Sequence, residues 1–129
     1  MAYPVVPVEP VGSFNILSMP QITKIVNVKA QAITSGTAVD VYTPTTGKKF
    51  NIIAYSLGVS AAGAVIFEDG SAGSSAEILR TATTATASGT TVPLGSLGAG
   101  VASGTANNHI YIDVTASATV NGWIGISEL

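Results

Sequence analysis

Hydrophobic and polar positions alternate along most of this chain. In 22–34, Val26, Val28, Ala30 and Ala32 fall on one side and Asn27, Lys29 and Gln31 on the other. That period of two is what a half-buried β-strand requires. A turn at Ser35-Gly36 separates it from a short strand with Val39 and Val41 opposite Asp40 and Tyr42, closed by Pro44-Thr45-Thr46-Gly47, a good turn sequence. Alternation is clearest in 109–115, where Ile110, Ile112 and Val114 face in and His109, Tyr111, Asp113 and Thr115 face out. The last strand, 120–127, sets Ile124 and Ile126 against Trp123.

Between these segments runs an uncharged stretch, 50–67, bracketed by Lys48-Lys49 and Glu68-Asp69. Its length sits at the lower edge of a membrane-spanning helix. Gly58 and Gly63 and the β-branched and aromatic population speak against a helix. We read two buried strands, 50–60 and 64–68, joined at Ser60-Ala61-Ala62-Gly63, with Ile53, Tyr55, Leu57 and Val59 on one face. Asn51, Ala54, Ser56 and Gly58 then tolerate a second layer or solvent. Residues 69–75 read as a loop, 76–81 as a strand with Ile78 and Arg80 on one side, and 92–94 as a short edge strand. The Thr/Ala/Ser tract 82–91 carries no periodicity.

Residues 1–21 differ. Pro4, Pro7, Pro10 and Pro20 forbid a regular helix and hold their predecessors extended. Yet Tyr3, Pro4, Val5, Val6, Val8, Val11, Phe14, Ile16 and Leu17 make the segment apolar, unlike a solvated tail. Such an arm is expected to lie along a surface, and these residues are the candidate partner-binding set. The fold class is therefore all-β: an extended N-terminal arm (1–21) followed by a β-sandwich or jelly-roll-like domain (22–129).

Composition changes one part of this picture. Only 9% of the 129 residues are charged, against about 25% in ordinary soluble domains. A surface so short of solubilising groups suits an assembled protein. The five basic residues are scattered, so nucleic acid is not an expected partner. Cysteine is absent, which removes disulfides and thiolate metal sites and fits maturation in a reducing cytoplasm. No basic segment followed by an apolar one opens the chain, so no secretory signal and no membrane partner is expected.

Candidate chemistry is sparse. Nucleophile-elbow, phosphate-loop and calcium-loop patterns are missing. His109 and Asp113 share a strand face, but four residues separate them by roughly 13 Å. Glu68, Asp69 and Glu77 are the carboxylates a metal would use, but a turn begun by Asp69 onto Gly70 is the simpler reading. Adjacent strand residues also point to opposite faces. Catalytic residues, cofactors and metals are therefore not expected, and the chain reads as a non-enzyme. Tyr111 and Trp123 could serve as a sugar-stacking platform or as a contact to another subunit.

One likeness can be attached to named residues. The succession Gly47-Lys48-Lys49-Phe50-x-Ile52, the strand end Phe67-Glu68-Asp69-Gly70, Val92-Pro93-Leu94-Gly95, and the closing Ile110-Tyr111-Ile112-Asp113-Val114 with Val120-Asn121-Gly122-Trp123-Ile124-Gly125 resembles small phage virion proteins. More narrowly, the chain resembles the capsid decoration, or cement, proteins of tailed bacteriophages. The resemblance implies a homotrimeric β-sandwich or jelly roll, made in the bacterial host cytoplasm and bound to the outer capsid surface. It implies a role in bridging neighbouring major capsid subunits, with the arm as staple. The rival reading is a head-fibre, tail-fibre or carbohydrate-binding β-sandwich module.

Overall fold

The structure, a computed structural model, describes residues 22–71, 74–81, 90–93 (as backbone) and 100–129. The arm 1–21, with every candidate partner-binding residue named above, lies outside them, as does most of the Thr/Ala/Ser tract. The described elements are all strands: β1 (Lys24–Ile33), β2 (Val39–Tyr42), β3 (Phe50–Val59), β4 (Val65–Ser71), β5 (Ser74–Arg80), β6 (Thr90–Pro93), β7 (Val101–Ala102), β8 (His109–Val114) and β9 (Ala118–Glu128). Among the described residues no helix is long and apolar enough to cross a membrane.

Two antiparallel sheets result. Sheet A runs β1-β9-β3-β6, with β7 also paired to β3, and sheet B runs β2-β8-β4-β5. This is the strand order of a jelly roll, in which the chain repeatedly crosses between two facing sheets. The inward residues of both sheets form one core. Phe50, Phe67, Ile52, Ile110, Ile112, Ile124, Ile126 and Val120 are its fully buried side chains. Tyr55 of sheet A meets Phe67 of sheet B with ring centroids 5.0 Å apart. The uncharged stretch is thus two buried strands, as its periodicity predicts, but they lie in opposite sheets. Its length comes from β3 and β4 laid end to end across the core.

Bulges account for most departures from strict alternation. Between Val28 and Gln31 the β1–β9 register shifts, and Ala30 takes φ 44°, a left-handed conformation uncommon outside glycine. Inward-facing Ala30 and Ala32 are therefore corrected: both are exposed, while Gln31 pairs with Val120 and Ile33 is buried at 3% exposure. Asn121 Oδ1 stabilises the bulge by accepting the Ala30 N–H at 2.7 Å. In β3 the shift falls between Ile52 and Ala54. Phe50 and Ile52 thus share the core with Tyr55, Leu57 and Val59, while Ile53, assigned to that row from sequence, sits outside the core cluster.

The loop reading of 69–75 is also corrected. Strand β4 continues through Ser71 and β5 begins at Ser74. A shift between Phe67 and Glu68 sets Leu79 opposite Phe67, with Glu77 and Arg80 opposite Glu68 and Ile66. Glu77, three residues away, joins Arg80 on the outer face in place of Ile78. The two form a bidentate pair at 2.7 and 3.0 Å.

Strand β9 binds β1 on one side and β3 on the other, and one glycine makes that possible. Gly122 has φ 142°, and a Cβ there would lie 1.9 Å from the Ser56 carbonyl oxygen. Only glycine fits where two backbones approach this closely.

Candidate interaction faces

Because alternate residues point to opposite sides, each sheet presents one outer face. On sheet A the outward residues of β9 are Asn121, Trp123, Gly125 and Ser127, their partners on β1 include Ile25 and Asn27, and those on β3 include Asn51, Ala54, Ser56 and Gly58. None of these is charged. Lys29, beside the β1 bulge, stands at the margin. Ile22 and Ile25 are 42% and 53% exposed, so the face is both uncharged and apolar at its β1 edge. At its lower end Asn51, Ala54 and Ser127 are buried although they point away from the core. Ser56 and Gly58 are half-buried. Of the described residues, Ile22 covers Gly125, and Gly100 approaches Asn51 so closely that a Cβ there would lie 2.5 Å from its Oδ1. A Cβ on Gly125 would lie 2.6 Å from Ile22 Cδ1.

The outer face of sheet B carries two cross-strand rows rich in titratable groups. Asp40, Tyr111, Glu68 and Glu77 form one cross-strand row, and Asp113, Ile66 and Arg80 the next. His109 Nδ1 contacts Asp40 Oδ2 at 2.5 Å and Thr43 Oγ1 at 3.3 Å, and its ring stacks on Tyr111 with centroids 6.2 Å apart. The partner of His109 is therefore Asp40 on the neighbouring strand, not Asp113 on its own. A nucleophile triad needs the hydroxyl and the carboxylate on opposite ring nitrogens. Here both approach Nδ1, so Thr43 is not activated by this pair. Asp113 is buried at 7% exposure because the Ser35-Gly36 turn folds over it, the Gly36 N–H donating to Asp113 Oδ1 at 3.0 Å.

Glu68 and Asp69 diverge as adjacent strand residues must. Glu68 faces out and accepts from Ser75 Oγ at 2.5 Å. Asp69 turns towards the space between the sheets, where Ser103 Oγ donates to it at 2.9 Å and Asn108 Nδ2 at 3.4 Å. Beside it lies an open cleft of about 280 Å³ lined by Gly70, Ser71, Ser74, Ser75, Thr105 and Asn108. Among the described residues no group of three His, Asp or Glu side chains has the placement to hold a metal.

Tyr111 and Trp123, joined as one platform in the sequence reading, lie on β8 and β9, hence on opposite outer faces of the sandwich. They cannot stack on the same sugar ring. A polar clasp that the sequence reading missed joins the sheets near the start of β1. Glu128 Oε1 accepts from Lys24 Nζ at 3.0 Å, from the Thr45 N–H at 2.9 Å and from the Tyr42 hydroxyl. These bonds, the tyrosine's foremost, hold the Glu128 carboxyl down at about 2. Burial, then the Glu128 bond, raises Tyr42, and the same carboxylate raises Lys24. No short motif announces this cluster, because its members come from three separate parts of the chain, Lys24, Tyr42 with Thr45, and Glu128.

No family model matches the chain, and neither a curated protein nor a solved structure is significantly similar to it.

Proposed function

We propose that the protein is a non-enzymatic structural component of a phage virion, a decoration protein on the outer capsid surface that bridges neighbouring major capsid subunits as a homotrimer. The observation that carries this reading is the division of charge between the two outer faces. Among the described residues, the central rows of the sheet A outer face carry no charge and are partly apolar, with Lys29 at the margin, while sheet B presents Asp40, Glu68, Glu77, Arg80 and His109. Interface centres are depleted in charge, whereas solvated faces are not. In this reading the sheet A side meets the shell and the sheet B side meets solvent.

Two further considerations support it. Jelly rolls recur in viral capsid domains, although a fold by itself fixes no activity. Anything that binds the assembled lattice better than free subunits stabilises the shell by mass action, and three linked copies make each later contact effectively intramolecular. Modest contacts per arm then suffice.

The test is co-sedimentation of the purified protein with capsids of the virus that carries it. Deleting residues 2–20 is expected to leave a folded trimer that no longer pellets with capsids. Full retention of binding by that deletion overturns the arm's role, and a monomer in sedimentation equilibrium overturns the trimer.

A further inference from the structure

We infer that the cleft beside Asp69 is a calcium site of low affinity, in which one carboxylate is joined by neutral oxygens of the 103–108 connection. The inference is independent of the virion reading.

The first argument is where the carboxylate stands. Asp69 pairs with Ile110 on β8, and alternation along β4 puts it on the same side as Phe67. Phe67 and Ile110 are both fully buried. Asp69 therefore continues an apolar inward row to its end, where the connection from β7 to β8 closes over it. A carboxylate on that side of a sheet needs compensating partners. Asp40, Glu77 and Glu128 each face a basic side chain. Among the described residues, the side chains bonded to Asp69 are a serine and an asparagine, both neutral.

The second argument is a count of protons. Ser103 is only 3% exposed. Its Oγ lies 2.9 Å from Asp69 Oδ2 and 2.9 Å from the Thr105 carbonyl oxygen, and it accepts the Thr105 N–H at 3.2 Å. A hydroxyl carries one proton. Serving Asp69 leaves the Thr105 carbonyl short, and serving the carbonyl leaves Asp69 short. The remaining donors both come from Asn108 and both are long, its side-chain amide 3.4 Å from Asp69 and its backbone N–H 3.4 Å from the Thr105 carbonyl. Bonds of that length are weak. Two acceptors thus compete for one well-placed proton, and a cation between them satisfies both at once.

The third argument is donor chemistry and room. The cleft of about 280 Å³ is lined by Asp69, Thr105 and Asn108 together with the hydroxyls of Ser71 and Ser74. Turning the Asn108 amide over exchanges its N–H for its carbonyl oxygen. Carboxylate, carbonyl and hydroxyl oxygens are the hard donors that Ca²⁺ takes in flexible geometry, whereas Mg²⁺ demands a near-ideal octahedron. A single formal charge places the affinity at the weak end for calcium, with a Kd of about 1 mM. Such a site differs in kind from a cluster of three acids, which is missing among the described residues.

Thermal melts of the full-length protein in EDTA, CaCl2 or MgCl2 at equal ionic strength read the site, and equilibrium dialysis against Ca²⁺ gives its stoichiometry. At about 5 mM, Ca²⁺ is expected to raise the melting temperature by about 4 °C and Mg²⁺ by less than about half as much, with a single Ca²⁺ bound per chain. D69N is expected to lose both the rise and the bound ion. E68Q alters the adjacent carboxylate, which faces the opposite way, and keeps both. N108A leaves the Asp69 carboxylate in place and is expected to bind Ca²⁺ about threefold more weakly, so it tests the site even where D69N fails to fold. No rise in the parent chain overturns the proposal, because water then meets the shortage. A rise that survives in D69N, is lost in E68Q or is equal for Mg²⁺ also overturns it, as does an N108A affinity equal to the parent's.

Discussion

The two outer faces of this sandwich are built on the same alternation of residues, yet they differ in almost every physical property. Sheet B displays Asp40, Glu68, Glu77, Arg80 and His109, with Asp113 buried beneath the Ser35-Gly36 turn, each held by a neighbour in an ion pair or hydrogen bond. Sheet A displays Trp123, Ile25, Asn27, Ser56 and small residues, with no charge between its strands. Inside, both sheets feed one apolar core, sheet A with eleven of its sixteen buried residues and sheet B with five, and the outer-face asymmetry is not a requirement of that packing. It points instead to different surroundings for the two sides, and alterations on either side test that directly.

The largest effect is expected from charge placed on the uncharged face. N27D/S56D brings two carboxylates to the cross-strand partners of Trp123. Buried in an interface, unpaired charges cost several kcal/mol, so capsid affinity should fall by about 100-fold or more. S74D/S75D on exposed strand β5 of sheet B should change affinity by less than about threefold. Binding isotherms of the two variants side by side decide the matter, and an equal loss in both would erase the distinction between faces.

A second comparison sets the inner and outer sides of one strand against each other. Gly122→Ala drives a Cβ into the Ser56 carbonyl from a left-handed backbone, which should cost at least about 1–3 kcal/mol. Gly125→Ala meets the Ile22 side chain, with Cδ1 at 2.6 Å, Cγ1 at 3.1 Å and Cγ2 at 3.3 Å; that exposed side chain must shift as a whole but no backbone is in the way, so stability should fall by about 1 kcal/mol, less than for Gly122→Ala. Denaturant titration of both variants distinguishes them.

A smaller effect concerns pH. The Glu128 carboxyl titrates at about 2 in the fold against an ordinary 4.5. A lowered carboxyl stabilises the fold fully above its unfolded value and loses that contribution as pH falls from about 4.5 towards 2. E128Q should be less stable than the parent at neutral pH, and the gap between them should close in this acid window. Thermal melts at stepped pH measure it. The smallest effect is expected at the exposed His109–Asp40 contact, where D40N should alter stability by less than about 1 kcal/mol.

Much of this architecture is legible in the alternation of residues, and the exceptions share a cause. Ile110, Ile112, Val114, Ile124 and Ile126 sit where a period of two puts them. Ala30, Ile53, Ile78 and the supposed loop at Asp69 do not, because each lies at or beside a bulge, and a bulge shifts every later residue by one position. Nothing in a local pattern marks such a shift when flanking residues are small or uniformly apolar. The uncharged outer face was present in the sequence as Asn121, Trp123, Gly125 and Ser127, but its meaning needed the partner strands. The Glu128 clasp could not be read at all, since Lys24, Tyr42, Thr45 and Glu128 meet only after both sheets close.

The proposed division of labour between the faces has one aromatic reporter on each side, Trp123 on sheet A and Tyr111 on sheet B. Hydroxyl-radical footprinting of the free and capsid-bound protein compares them in a single experiment. The account predicts that capsid binding protects Trp123 and leaves oxidation of Tyr111 at its free level; protection of Tyr111 with Trp123 unchanged would contradict it.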